Sequence, residues 1–176
     1  MISQINTGMN KNDISSWIEE SLKSDLDNIA AITFRVDGTM KNGSAISQTP
    51  WSNNATGSIE LLKKALDWTI TELRRANKNK LKFVAFVGGE GSLGVVGHFH
   101  ALLEFPVGVD KEQFIRRLEQ LWTQKVSKVL KQTLKTSVYA EPVRHKEFFS
   151  QYCQRFEGTT YGSGSSKVVM SKSLSL

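Results

Sequence analysis

His98 and His100 stand one residue apart in the apolar run GVVGHFHALLEFP, residues 94–106. Side chains alternate along a strand, so both imidazoles project from one face, roughly 6.5–7 Å apart along the backbone. Neutral imidazoles at that spacing can converge on one divalent ion. Such an ion needs a third protein ligand. Glu104 shares the face but lies about 13 Å along the strand from His100. Glu90 is better placed: a hairpin folded about Gly94 sets residue 90 opposite residue 98. Several turn registers are open, because the segment GGEGSLG, 88–94, holds four glycines. A His-x-His pair on a strand that binds no metal is the plainer reading of the same residues. A phosphate-loop reading of GGEGSLG is excluded, since no Lys-Ser/Thr follows and the context is strand–turn–strand.

The second group able to do chemistry is Tyr152, in RHKEFFSQYCQRFEG, 144–158. On a helical wheel Phe148, Phe149, Tyr152, Cys153 and Phe156 share a face, and Arg155 flanks it close to the tyrosine. A phenol with a pKa near ~10 is a poor nucleophile unaided. A divalent ion polarising a phosphate would make phosphorus more electrophilic. Arg155 could then hold a phosphate oxygen or ease deprotonation of Tyr152. Against this stands a core tyrosine whose hydroxyl is merely hydrogen-bonded. His145 reads as a cap of this last helix or as a minor site residue.

The elements that must position these groups follow from the pattern of the chain. Asp13 caps a short helix bearing Ile14, Trp17, Ile18 and Leu22. Residues 28–36, NIAAITFRV, read as a buried strand. Residues 37–58 read as a long loop, in which Lys41 and Trp51 are candidate nucleic-acid contacts; Trp51 could equally tuck into the core. An amphipathic helix over about 58–76 presents Ile59, Leu62, Leu66, Ile70 and Leu73. Strands at 81–87 and 95–105 flank the glycine turn. Asp110 caps a long helix that buries Phe114, Leu118, Leu121, Trp122, Val129 and Leu130. A strand at 136–143 and a helix at 145–157 complete the pattern. The expectation is an α+β fold: a central antiparallel β-sheet with flanking helices, mainly on one face. Residues 1–157 form one domain with a loose stretch at 1–12, and 158–176 form a flexible tail or the start of a linker.

The totals agree with that outline. A chain of 176 residues suffices for one domain with a real core. The net charge of +6 is compatible with a polyanionic partner without requiring one. Cys153 is the single cysteine, so no intrachain disulfide forms, which suits a reducing cytoplasm. No apolar stretch approaches the ~20 residues of a membrane span, and the first residues lack a signal-peptide core. A cytoplasmic protein without membrane attachment is expected.

Taken in order, these motifs resemble a known family. HFH is similar to the His–hydrophobic–His motif of the HUH endonucleases. QYCQRFEG resembles the tyrosine motif of single-tyrosine rolling-circle replication initiators (Rep proteins), with a basic residue three positions on. The Glu90–His98 separation resembles their acidic-ligand spacing, and AITFRV is similar to their first strand motif. The likeness spans 29–157, about three quarters of the chain. It implies a ferredoxin/RRM-like nuclease domain that cuts and rejoins single-stranded DNA at a defined origin or end, with single-stranded DNA or an origin hairpin as its partner. It implies that Tyr152 attacks the phosphate and keeps the 5′ side, that His98, His100 and Glu90 hold Mg²⁺ or Mn²⁺, and that Arg155 assists. Two departures stand out: Arg155 occupies a place where lysine is commoner, and Phe156 leaves no second tyrosine one turn away. Arginine clamps phosphate well but shuttles protons poorly. Tyr139 and Tyr161 are weaker nucleophile candidates. The chain has no Walker lysine motif, so an initiator of this kind would use a helicase in trans or be part of a longer protein. It would act in the host cytoplasm, or in the nucleus of a eukaryotic host. Other readings stay open: a single-tyrosine insertion-sequence transposase, a nucleic-acid-binding module without chemistry, and a metallohydrolase without a covalent intermediate.

Overall fold

Alternation of apolar side chains builds the strands, and a 3.6-residue period builds the helices that cover them. The computed structural model describes residues 3–4, 26–40, 55–78, 81–87, 95–131, 133–143 and 168–170. In chain order these form β1 (Ser3–Gln4), a 3₁₀ turn (Leu26–Asn28), β2 (Ile29–Met40), α1 (Ala55–Ala76), β3 (Lys82–Val87), β4 (Val95–Glu104), α2 (Lys111–Leu130), β5 (Leu134–Pro142) and β6 (Val168–Met170). The strands make one antiparallel sheet in the order β1-β6-β3-β4-β2-β5. Its four longer strands follow the β-α-β-β-α-β pattern of a split βαβ motif. α1 connects β2 to β3, which flank β4, and α2 connects β4 to β5, which flank β2. The α+β class expected from the sequence is therefore the observed one, with β4 in the interior of the sheet.

Both described helices cover one face. Ala30, Ile32, Phe34 and Val36 of β2, Phe83 and Ala85 of β3, and Phe99, Ala101 and Leu103 of β4 point into a shared core. They meet Leu62, Leu66, Ile70 and Leu73 of α1 and Phe114, Leu118, Leu121, Trp122 and Val126 of α2. Trp122 is the keystone of this layer. Its ring lies edge-on to Phe34 at 5.2 Å and to Phe99 at 6.2 Å, and its Nε1–H donates to the Arg35 carbonyl at 3.2 Å. An indole buried with its N–H satisfied stabilises by area without leaving an unpaired donor. Asp110 caps α2 as expected, its carboxylate accepting from the Gln113 amide at 3.0 Å. Between the helices Glu72 binds Arg117 and Lys125, and the Lys125 hydrogen bond holds its carboxyl below the usual carboxylate range.

Three boundaries differ from the sequence reading by two residues or more. β2 runs on to Met40, so the segment expected to be a loop from residue 37 begins as strand. The polar, glycine-bearing DGTM suggests a loop; it is carried instead by a bulge after Val36 and by pairing of Met40 with Leu134. α1 starts at Ala55 rather than 58, and β5 starts at Leu134 rather than 136. The expected helices at 14–22 and 145–157 lie outside the described residues, as do the stretches expected to be loose at 1–12 and 158–176, except for Ser3–Gln4 (β1) and Val168–Met170 (β6), which pair in the sheet. Among the described residues, no helix is long and apolar enough to cross a membrane.

Candidate functional site

β4 presents its two sets of side chains to different surroundings. Phe99, Ala101 and Leu103 enter the helix-covered core, while His98, His100, Leu102 and Glu104 occupy the opposite face. The two imidazole rings lie with centroids 4.9 Å apart and planes at 85°. That is closer than the roughly 6.5–7 Å between alternate positions of a strand, so the rings lean toward each other. Burial pushes His100 down to about 4, with the neighbouring His98 as the second cause. Burial, and secondly the charge of Arg35, hold His98 below the usual imidazole range. Both rings are therefore neutral at pH 7, the form that can donate a lone pair to a metal. Thr33 on β2 lies directly opposite His100, with its Oγ1 3.3 Å from Nδ1. A protonated Nδ1 donating to that hydroxyl leaves the lone pair on Nε2, the kind of outer contact that fixes the tautomer of a ligating histidine.

This donor set suits a borderline divalent ion. Among the described residues, no group of three His, Cys, Asp or Glu side chains is assembled for a metal. His98 and His100 are the described pair, and Glu90 lies outside the described residues. The β3–β4 ladder sets Phe86 opposite His100 and Val87 opposite Phe99. That register is two residues away from the one in which a hairpin about Gly94 would set 90 against 98. A two-residue slip keeps every side chain on its own face, so the alternation alone could not select between the two. Glu104, judged too distant for the site, instead binds Lys82 at 3.2 Å.

Tyr152, Arg155, Lys41 and Trp51 lie outside the described residues, as do His145 and Tyr161. Tyr139 is described. It sits on edge strand β5 opposite Thr33, on the histidine face, and is 61% exposed. The sequence reading gave no role to Arg35, whose backbone stands opposite His98. Alternation in AITFRV does set Thr33 and Arg35 on one face. That β2 lies beside β4, however, is a matter of tertiary pairing.

Fold and site together define an α+β domain of split βαβ topology with a pair of imidazoles on the sheet face opposite the two described helices. No protein-family model matches the chain, and no curated protein matches it at a significant level.

Proposed function

We propose that this chain is a metal-dependent endonuclease and strand transferase for single-stranded DNA, an HUH-type rolling-circle initiator domain with Tyr152 as nucleophile. The observation that carries the reading is the pair of neutral, mutually inclined imidazoles on an interior strand. The strand order around that pair supports it.

In this reading His98, His100 and Glu90 would hold Mg²⁺ or Mn²⁺, which when bound supplies a Lewis acid for a phosphoryl oxygen. The Tyr152 hydroxyl oxygen attacks phosphorus and forms a P–O bond. The bond from phosphorus to the 3′ oxygen breaks, and that oxygen leaves with a proton as a 3′ hydroxyl. The 5′ side stays on the tyrosine as a phosphodiester, and attack by a 3′ hydroxyl reverses the step and rejoins the strand. Arg155 holds a non-bridging phosphate oxygen. Thr33 orients His100.

The test uses end-labelled single-stranded DNA with Mn²⁺ and a denaturing gel. A protein–DNA adduct is expected; it disappears in Tyr152→Phe and in EDTA. An adduct that persists in Tyr152→Phe moves the nucleophile elsewhere. A second reading, a nucleic-acid-binding module without chemistry, is favoured by the exposed aromatic and cationic side chains of β2 and β5 on the same face. It predicts binding that is indifferent to metal and leaves the DNA intact.

A further inference from the structure

The histidine face of the sheet has two unlike halves. On the β3/β4 side Val84, Phe86 and Leu102 are buried. On the β2/β5 side Arg35, Lys135, Tyr139 and Glu141 are exposed. Pairing fixes their layout in rows. Arg35 stands between His98 and Ser137, and Thr33 stands between His100 and Tyr139. Tyr139 is thus two strand spacings from His100, about 9.5 Å. Arg35 is one spacing from His98, close enough for its charge to act on that imidazole. Among the described residues no carboxylate pairs with Arg35, whereas Lys82, Lys125, Arg116 and Arg117 each have one.

An aromatic ring usually contributes by burial. The Tyr139 ring does not: it lies open on an edge strand, in line with the imidazoles. A guanidinium with no carboxylate partner among the described residues and an open ring suit a chain of phosphates and unpaired bases. Phosphate is gripped by the planar cation, and a base stacks on the ring whatever its identity. β5 also sets a polarity: Lys135, Ser137, Tyr139 and Glu141 run from cation to anion along this face. A polyanion is drawn to the Lys135 and Arg35 end and turned away at Glu141.

We propose that Arg35 and Tyr139 form the single-stranded DNA contact that feeds the histidine pair. Arg35 takes the phosphate lying beside His98, and Tyr139 stacks a base of a neighbouring nucleotide. The strand enters over Lys135. The proposal rests on the nucleic-acid reading above and adds the path and the two side chains that define it.

The experiment titrates the full chain into a 5′-fluorescein, mixed-sequence, 15-nucleotide single-stranded DNA, followed by anisotropy in EDTA so that no chemistry intervenes. Tyr139→Ala is expected to weaken binding about tenfold, and Tyr139→Phe, which keeps the stacking face, to stay within about twofold of wild type. Arg35→Ala is expected to flatten the slope of log affinity against log salt by about 0.7, the loss of one single-strand phosphate contact. Equal affinity and equal salt slope in wild type, Tyr139→Ala and Arg35→Ala overturn the proposal. If those proteins still form the Mn²⁺-dependent adduct, the nuclease reading survives and only the path falls. Binding that drops in the variants, with no adduct from any protein, upholds the contact and removes the chemistry. Wild type that neither binds nor forms an adduct overturns both.

Discussion

Phe99 and His100 are neighbours on β4, and both are nearly inaccessible, at 1% and 7% exposure. The consequences differ completely. Phe99 meets Trp122 in the helix-covered layer, where burial removes apolar area from water and stabilises the fold. His100 meets Thr33 and His98 on the other face, where burial penalises the protonated ring and keeps it neutral. The same desolvation supplies stability on one side of the strand and a neutral imidazole on the other.

The largest test of this contrast is Trp122→Ala. It removes the ring beneath β2 and β4 and the donor to the Arg35 carbonyl, and should cost about 3–5 kcal/mol in urea unfolding. A loss below about 1 kcal/mol would show that the helix-covered layer does not depend on this ring. His100→Ala should behave in the opposite way. Losing an outer contact to a metal ligand typically costs about 10–100-fold in affinity or activity. If His100 is a ligand, as the proposed function has it, its loss should lower Mn²⁺-dependent adduct formation at least about 100-fold, while unfolding shifts far less than in Trp122→Ala. Undiminished adduct in His100→Ala would break the assignment of the site face.

A smaller effect concerns pH. In the unfolded chain the imidazoles take up protons as pH falls through about 6.5, whereas folded His100 resists protonation down to about 4. Between those values the unfolded state binds more protons, so stability falls as pH drops. The Tm of the protein in EDTA should decline across this window, and His100→Ala should shallow the decline. An unchanged slope in the variant would place the burial of charge elsewhere. The smallest effect is Asp110→Ala, which removes the α2 cap far from the histidines and should cost about 1 kcal/mol with no change in Mn²⁺ dependence.

Much of the scaffold was legible because it is local. The periods of α1 and α2, the Asp110 cap and the alternation that set His98 and His100 on one side all depend on residues within a turn or two of each other. What escaped the sequence was pairing at a distance. The bulge after Val36 lets a polar, glycine-bearing segment remain strand to Met40. The glycine turn left the β3–β4 register undecided by two residues, since such a slip changes no side chain's face. The neighbours of Arg35 are not legible in the sequence, because nothing in NIAAITFRV tells which strand will lie beside it.

The amino-acid order by itself determined the kinds of element and the side from which the two imidazoles project, because backbone geometry fixes those periods within a single segment. Only the tertiary structure decided that β2 lies between β4 and β5. That placement brings Thr33 to His100, Arg35 to His98 and an open Tyr139 into their row. Neighbours across a sheet are chosen by how several apolar faces pack together, a choice spread over α1, α2 and four strands and written in no single stretch of the chain.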